Sequence, residues 1–154
     1  EDGFVDYPAN LIYDNTYSSI QLLAGQQIVG GDVLDGQGRG AVAGAVRDCS
    51  DIEIEGATVT TDQIDASTKV AYFDGRADPS PDAAATATAS DGLFAVLNAN
   101  TDPGKDVQTV SAGMLDPTCA GQDDCQCVSL GSRTVRVFPD SVSIVTFRGD
   151  LPTP

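Results

Sequence analysis

The stretch Thr86–Ala99, which reads TATASDGLFAVLNA, indicates the fold class of this chain. Small and β-forming residues alternate before Asp91-Gly92, and a run of apolar residues follows the dipeptide. Because Asp and Gly can both take a positive φ, this dipeptide between two strand-like runs predicts a tight turn. We therefore expect a β-hairpin in which Thr86–Ser90 and Leu93–Asn98 are the two strands.

The rest of the chain repeats this pattern of short β-like runs bounded by turn residues. The runs are Ile28–Leu34, Ala41–Arg47, Ile52–Thr61, Lys69–Phe73, Val107–Met114, Arg133–Phe138 and Val142–Phe147. The last two are expected to form a final strand pair around Pro139-Asp140. Since no stretch has a convincing helical period, the sequence predicts an all-β domain of about seven to eight strands, either a β-sandwich or a small barrel.

The length of 154 residues fits one domain with a substantial core. We expect an N-terminal arm or added strand over residues 1–26, the sandwich body over 27–149 and a tail over 150–154. No run of about 18 apolar residues occurs, so we expect no membrane insertion. The sequence begins at Glu1 without a Met or a leader, which predicts a processed or trimmed chain.

The formal charge is −15, with 8 basic residues against 23 acidic ones. Binding to nucleic acid needs clustered Lys and Arg, so this balance argues against nucleic acid as a partner. It also argues against anionic membrane surfaces. Asp supplies 20 of the 23 acids, and Asp is typical of turns and strand ends, where its carboxylate accepts backbone hydrogen bonds.

The four cysteines, Cys49, Cys119, Cys125 and Cys127, predict two disulfides. An even number in an acidic, Lys-poor chain is typical of an oxidising compartment and favours a secreted or cell-envelope protein. Cys125 and Cys127 are too close to bridge without strain. We expect Cys119–Cys125 together with Cys49–Cys127, and Cys49–Cys125 with Cys119–Cys127 stays open. A thiolate metal site is disfavoured, because paired C-x2-C spacing and His are both absent.

Several short motifs together resemble the carboxypeptidase regulatory-like domain over about Gly40 to Phe147. They are Gly44-x-Val46-x-Asp48, Ile54-x-Gly56-Ala57-x-Val59, Thr88-x-x-Asp91-Gly92-x-Phe94-x-Val96 and Pro103-Gly104. The resemblance implies a transthyretin-like, Greek-key β-sandwich. It also implies a non-catalytic folding, spacing or interaction role in a secreted or envelope protein, with no catalytic residues to carry over.

Two local expectations accompany these motifs. Gly56-Ala57 would let a strand bend or approach a neighbour closely. Phe94 and Val96 point to the same side of their strand and should fill the space between two sheets.

The residue types present limit the chemistry of the chain. Without His, the Ser-His-Asp, Cys-His and His-metal arrangements are excluded, and we expect no enzymatic activity. Calcium is the one cofactor that the residue types suit: Asp32 and Asp35, with the carbonyls of Gly36–Gly40, offer hard oxygen ligands. Further acidic loops contain Asp74, Asp78 and Asp82, and Asp123-Asp124. A role of these aspartates in turns is the simpler interpretation.

The arm contains Tyr7, Tyr13 and Tyr17, which can anchor a protein partner or stack on a sugar. Packing of these rings on their own domain is the alternative. Our leading hypothesis is a structural or interaction module, for example a subunit of an extracellular assembly or filament. Its arm would pair with a sheet edge of its own domain or of a neighbour. The alternative hypothesis is a carbohydrate-binding or calcium-dependent adhesion module.

Overall fold

The computed structural model describes residues 38–115 and 127–148, and the structural statements below concern these residues. They form the strands β1 (Gly40–Arg47), β2 (Ala57–Thr61), β3 (Lys69–Phe73), β4 (Pro81–Asp82), β5 (Leu93–Ala99), β6 (Val107–Leu115), β7 (Cys127–Arg136) and β8 (Val142–Arg148). The predicted strand Ile28–Leu34 lies outside this part of the chain. Within it there is no helix of a length and apolarity that would cross a membrane.

The eight strands form two sheets. The larger has the order β4-β3-β5-β1-β8, and the smaller has the order β2-β6-β7. Neighbouring strands run antiparallel, except that β1 and β8 run parallel. The all-β prediction is confirmed, and two sheets packed over one apolar core are the two layers of a β-sandwich.

The core lies between the sheets and draws on both of them. Phe94 and Phe147 are fully buried at its centre, with ring centroids 5.8 Å apart and planes tilted by 40°. Val96 joins them from β5, and Val59 and Val110 reach the same cluster from the smaller sheet. The expectation that Phe94 and Val96 fill the space between the sheets is confirmed. Burial of each Phe stabilises the fold by about 2–3 kcal/mol.

The predicted hairpin at Asp91-Gly92 is wrong, although the turn itself is present. Gly92 has a φ of 64°, and the Asp91 carboxylate accepts the N–H of Leu93 at 3.0 Å. Thr86–Ser90, however, is not a strand. β5 already pairs with β3 on one side and with β1 on the other, so neither edge can accept a hairpin partner.

The predicted final strand pair is also wrong, because β7 and β8 lie in different sheets. After β7 the chain leaves its sheet: Val137 is buried, and its N–H donates to the carbonyl of Asp106 at 2.7 Å. Pro139 has no N–H with which to continue a ladder. Ser141 then accepts a hydrogen bond from the N–H of Ala41, which starts the parallel pairing of β8 with β1.

Two glycines show how the sequence permits these pairings. Gly56 has a φ of 82° and bends the chain before β2, as expected, but a Cβ there would meet no atom within 4 Å. The close approach occurs at Gly44 instead, where a Cβ would collide with the carbonyl of Val145 on β8. Only a residue without a side chain lets β1 and β8 lie in this arrangement.

Candidate functional site

The outer edge of β8 ends the larger sheet as the described strands form it. Because the Ala41 N–H donates to Ser141, the odd-numbered residues of β8 direct their backbone groups toward β1. The backbone groups of Ile144, Thr146 and Arg148 therefore point away from β1. In the described ranges, no strand pairs with that side of β8.

The side chains of β8 alternate between the core and solvent. Val145 and Phe147 are buried, whereas Ile144, Thr146 and Arg148 are exposed. Ile144 is 44% exposed, which is high for a large apolar side chain in the middle of a strand. β8 thus presents backbone groups that no described strand engages beside an accessible apolar side chain, which is the arrangement that added β-strands use.

The edge of β2 differs, because other parts of the chain close it. The Thr88 hydroxyl accepts the N–H of Ala57 at 2.9 Å, and the Thr88 N–H donates to the carbonyl of Ala57 at 2.8 Å. The hydroxyl of Tyr72, on β3 of the opposite sheet, accepts the N–H of Val59 at 2.9 Å. The pKa of this hydroxyl lies above its ordinary value, because burial raises it by more than the hydrogen bond from Val59 lowers it. A partner strand therefore finds this edge of β2 already occupied.

The opposite edge of the larger sheet is short. β4 contains two residues, pairs with Tyr72 and Phe73 of β3, and begins with Pro81. Short edge strands with Pro resist pairing with other chains. The fourth edge is β7, which is ten residues long and also has no described strand on its outer side. Compared with β2 and β4, β8 has both the length and outward backbone groups that no described strand engages.

A polar cluster lies where the chain enters β1. Arg39 donates to Asp65 at 2.7 Å and to the carbonyl of Asn98 at 3.3 Å. The Asp65 carboxylate also accepts hydrogen bonds from the N–H groups of Ser67 and Thr68 and from the Thr68 hydroxyl. Burial raises the pKa of Asp65, but Arg39 and the other donors outweigh it and hold the pKa at about 2. The carboxylate is fully engaged in the turn, which indicates a structural role.

The acidic loops in the described ranges also use their carboxylates in turns. Asp74 accepts the N–H groups of Ser80 and Arg76, and Asp82 accepts the N–H of Ala84. Residues 38–115 and 127–148 contain no group of three or more acidic, Cys or His side chains that could hold a metal ion. The calcium candidates Asp32 and Asp35, and the loop residues Asp123-Asp124, lie outside the described residues.

An ionic network lies at the end of the sandwich where β1 and β8 finish. Arg47 contacts Asp51 and Glu53 at 3.1 Å each, and Arg148 contacts Asp51 at 3.2 Å. Cys49, in the turn between these groups, is exposed and forms no disulfide with a described residue. Cys119 and Cys125 lie outside the described residues, as do Tyr7, Tyr13 and Tyr17, and of Cys127 only the backbone is described. Both disulfide pairings stay predictions.

No family model matches this chain, and no curated protein sequence matches it. The resemblance to the carboxypeptidase regulatory-like domain therefore stays a prediction.

The edge position of β8 could not be predicted from the sequence, because it depends on the order of strands in the sheet. The run Val142–Phe147 predicted the strand. The local signal in the sequence is that Ile144 and Val145 are adjacent apolar residues, so in a strand one of them must point away from the core.

Proposed function

We propose that this chain is a non-catalytic structural or interaction module of a secreted or cell-envelope protein. Its two-sheet fold is proposed to be a Greek-key, transthyretin-like sandwich of the carboxypeptidase regulatory-like type. The observation that carries the functional proposal is the seven-residue outer edge of β8, with which no described strand pairs. A partner segment would bind there by β-strand addition.

The contrast with the edges of β2 and β4, together with exposed Ile144, supports β8 as the binding edge. The chain closes β2 with Thr88 and Tyr72 and presents only two residues at β4. At β8 the outward-facing backbone groups repeat along the strand beside exposed Ile144. Main-chain hydrogen bonds would supply affinity, and the apolar side chain would supply part of the selectivity.

One concrete version is a subunit of an extracellular assembly or filament. In it, the N-terminal arm, residues 1–26, of a neighbouring copy supplies the added strand. Tyr7, Tyr13 and Tyr17 would provide the aromatic anchors that such contacts favour. The net charge of −15 would make this association stronger at higher salt, because screening weakens repulsion between copies.

Sedimentation velocity over a wide concentration range tests the assembly with the full chain and with Thr146→Pro. Thr146 is exposed, and its N–H faces away from β1, so Pro removes an outward donor and leaves the β1 ladder intact. We expect Thr146→Pro to weaken self-association by roughly tenfold or more.

The matched control is Thr146→Ala, which removes the side chain but keeps the N–H and should associate like the unmodified chain. Equal weakening by both variants would mean that the side chain matters and that strand addition does not occur. If the unmodified chain stays monomeric throughout while residues 1–26 resist proteolysis, the arm packs on its own domain and the assembly version fails.

A further inference from the structure

The outer face of the larger sheet carries a second apolar cluster, which we call the outer patch. Phe94 and Val96 point into the core, so Ala95 and Leu97 point to the opposite face. The patch consists of Ala41, Ala43, Ala71, Phe73, Ala95, Leu97 and Val142. All seven residues lie on β1, β3, β5 or β8, and the three-stranded sheet contributes none of them.

The outer patch is buried to a degree that the described strands do not explain. Leu97 is 1% exposed and Ala95 is 3% exposed, whereas the outer face of a two-layer sandwich normally meets water. The neighbouring alanines are too short to cover a Leu. Ile144, which pairs with Ala43 on the same face, is 44% exposed. A segment packed over β3, β5 and β1 that stops short of β8 would account for these exposures.

Composition and chain position indicate which segment outside the described residues packs on the outer patch. Residues 116–126 join β6 to β7 in the other sheet, and they contain no Leu, Ile, Val or Phe. Residues 149–154 follow β8 at the far end from Gly38 and contain one large apolar residue, Leu151. Residues 27–37 directly precede Gly38 and contain Ile28, Val29, Val33 and Leu34. Residues 1–26 also contain large apolar residues, among them Ile20, Leu22 and Leu23, but residues 27–37 are the ones joined to β1 through Gly38 and Arg39. Chain position therefore favours residues 27–37 as the cover.

The distances permit this arrangement. Ala41 belongs to the patch and lies three residues after Gly38. Eleven extended residues reach roughly 36 Å, and four neighbouring strands span roughly 14 Å from first to last. Because the segment is joined directly to β1, its effective concentration at the patch is high.

We propose that residues 27–37 fold back over the outer patch of their own chain and form a third layer on the sandwich. Their apolar side chains pack on Leu97 and the alanines around it. This interaction is independent of the assembly proposed at the β8 edge, and it leaves the arm over residues 1–26 available to that edge.

Photo-cross-linking tests the location and origin of the cover in the full chain. Phe73 lies in the patch and is partly buried, so Phe73→p-benzoylphenylalanine places a probe there with a similar aromatic side chain. We expect mass spectrometry of the monomeric product to find the cross-link within residues 27–37. A cross-link to residues 1–26, or a product of doubled mass, would overturn the proposal. Cross-linking does not require self-association, so failure of the β8 proposal leaves this result unaffected.

A pair of charge substitutions gives a second readout. Val33→Asp should lower the melting temperature by about 5 °C or more and raise the binding of an apolar dye. Leu11→Asp, the matched control in the arm, should change neither. The proposal fails if Val33→Asp behaves like Leu11→Asp. If Val33→Asp does not fold, amide exchange of the unmodified chain decides, because residues 27–37 must then be protected.

Discussion

Single residues satisfy backbone groups on the outer edge of β2 that no described strand engages. The Tyr72 hydroxyl crosses from β3 to the backbone of Val59, and Thr88 satisfies both backbone groups of Ala57. Each contact satisfies a backbone group that would otherwise be buried without a partner, at a cost of about 1–3 kcal/mol. These contacts could not be predicted from the sequence, since Tyr72 lies 13 residues from Val59 and no local pattern links them.

At the residue scale, the ion pair between Arg39 and Asp65 predicts a pH dependence of stability. The pKa of folded Asp65 is about 2, below its ordinary value of 3.8. The stabilisation is therefore complete above about pH 4 and is lost as the pH falls through 2. Because the Asp65 side chain is 34% exposed, screening by solvent reduces the contribution to about 1 kcal/mol.

Asp65→Asn should accordingly lower the free energy of unfolding by about 1 kcal/mol at neutral pH. The loss should shrink as the solution is acidified from pH 4 toward pH 2, and urea unfolding at several pH values measures it. If the free energies of unfolding of the unmodified chain and of Asp65→Asn differ by the same amount at every pH, the pH dependence of stability does not come from Asp65.

At the scale of elements, the sequence predicted strands better than it predicted their partners. Lys69–Phe73 has the predicted bounds, because alternation within one strand is a local property. Pairing is not local: β5 lies between β3 and β1, so Thr86–Ser90 has no place beside it despite the turn at Asp91-Gly92. The open edge of β8 escaped prediction for the same reason.

The pairing of β1 with β8 predicts that substitution of Gly44 strongly lowers the free energy of unfolding. Gly44→Ala places a Cβ against the backbone carbonyl of Val145, which cannot rotate away. We expect a loss of about 2–4 kcal/mol in the free energy of unfolding, measured by denaturant titration. Gly56→Ala is the control, because its Cβ meets no atom within 4 Å and only the positive φ costs about 1–2 kcal/mol. Equal losses in the two variants would mean that β1 and β8 separate easily.

At the scale of the whole molecule, the topology brings the predicted cysteine partners to one end. β1 finishes at Arg47 just before Cys49. Cys127 starts β7 opposite Leu115, at the end of the smaller sheet where β2 begins. The predicted Cys49–Cys127 bridge would therefore join the two sheets at the end that carries the ionic network.

Non-reducing peptide mapping of the oxidised chain should find Cys49 linked to Cys127. A bridge closing a loop of this length would stabilise the fold by about 4 kcal/mol, so reduction should lower the melting temperature. A peptide linking Cys49 to Cys125 would support the other pairing. Cys49 that reacts fully with an alkylating reagent in the native oxidised protein would contradict both.

The parallel pairing of β1 and β8 has a mechanical consequence. Both strands start at one end of the sandwich and finish at the other. The chain therefore enters β1 at one end and leaves β8 at the opposite end. Tension along the chain pulls the two strands past each other, and the hydrogen bonds between them are loaded together rather than opened one at a time. A spacer under load between a surface and a partner would gain resistance to stretching from this arrangement.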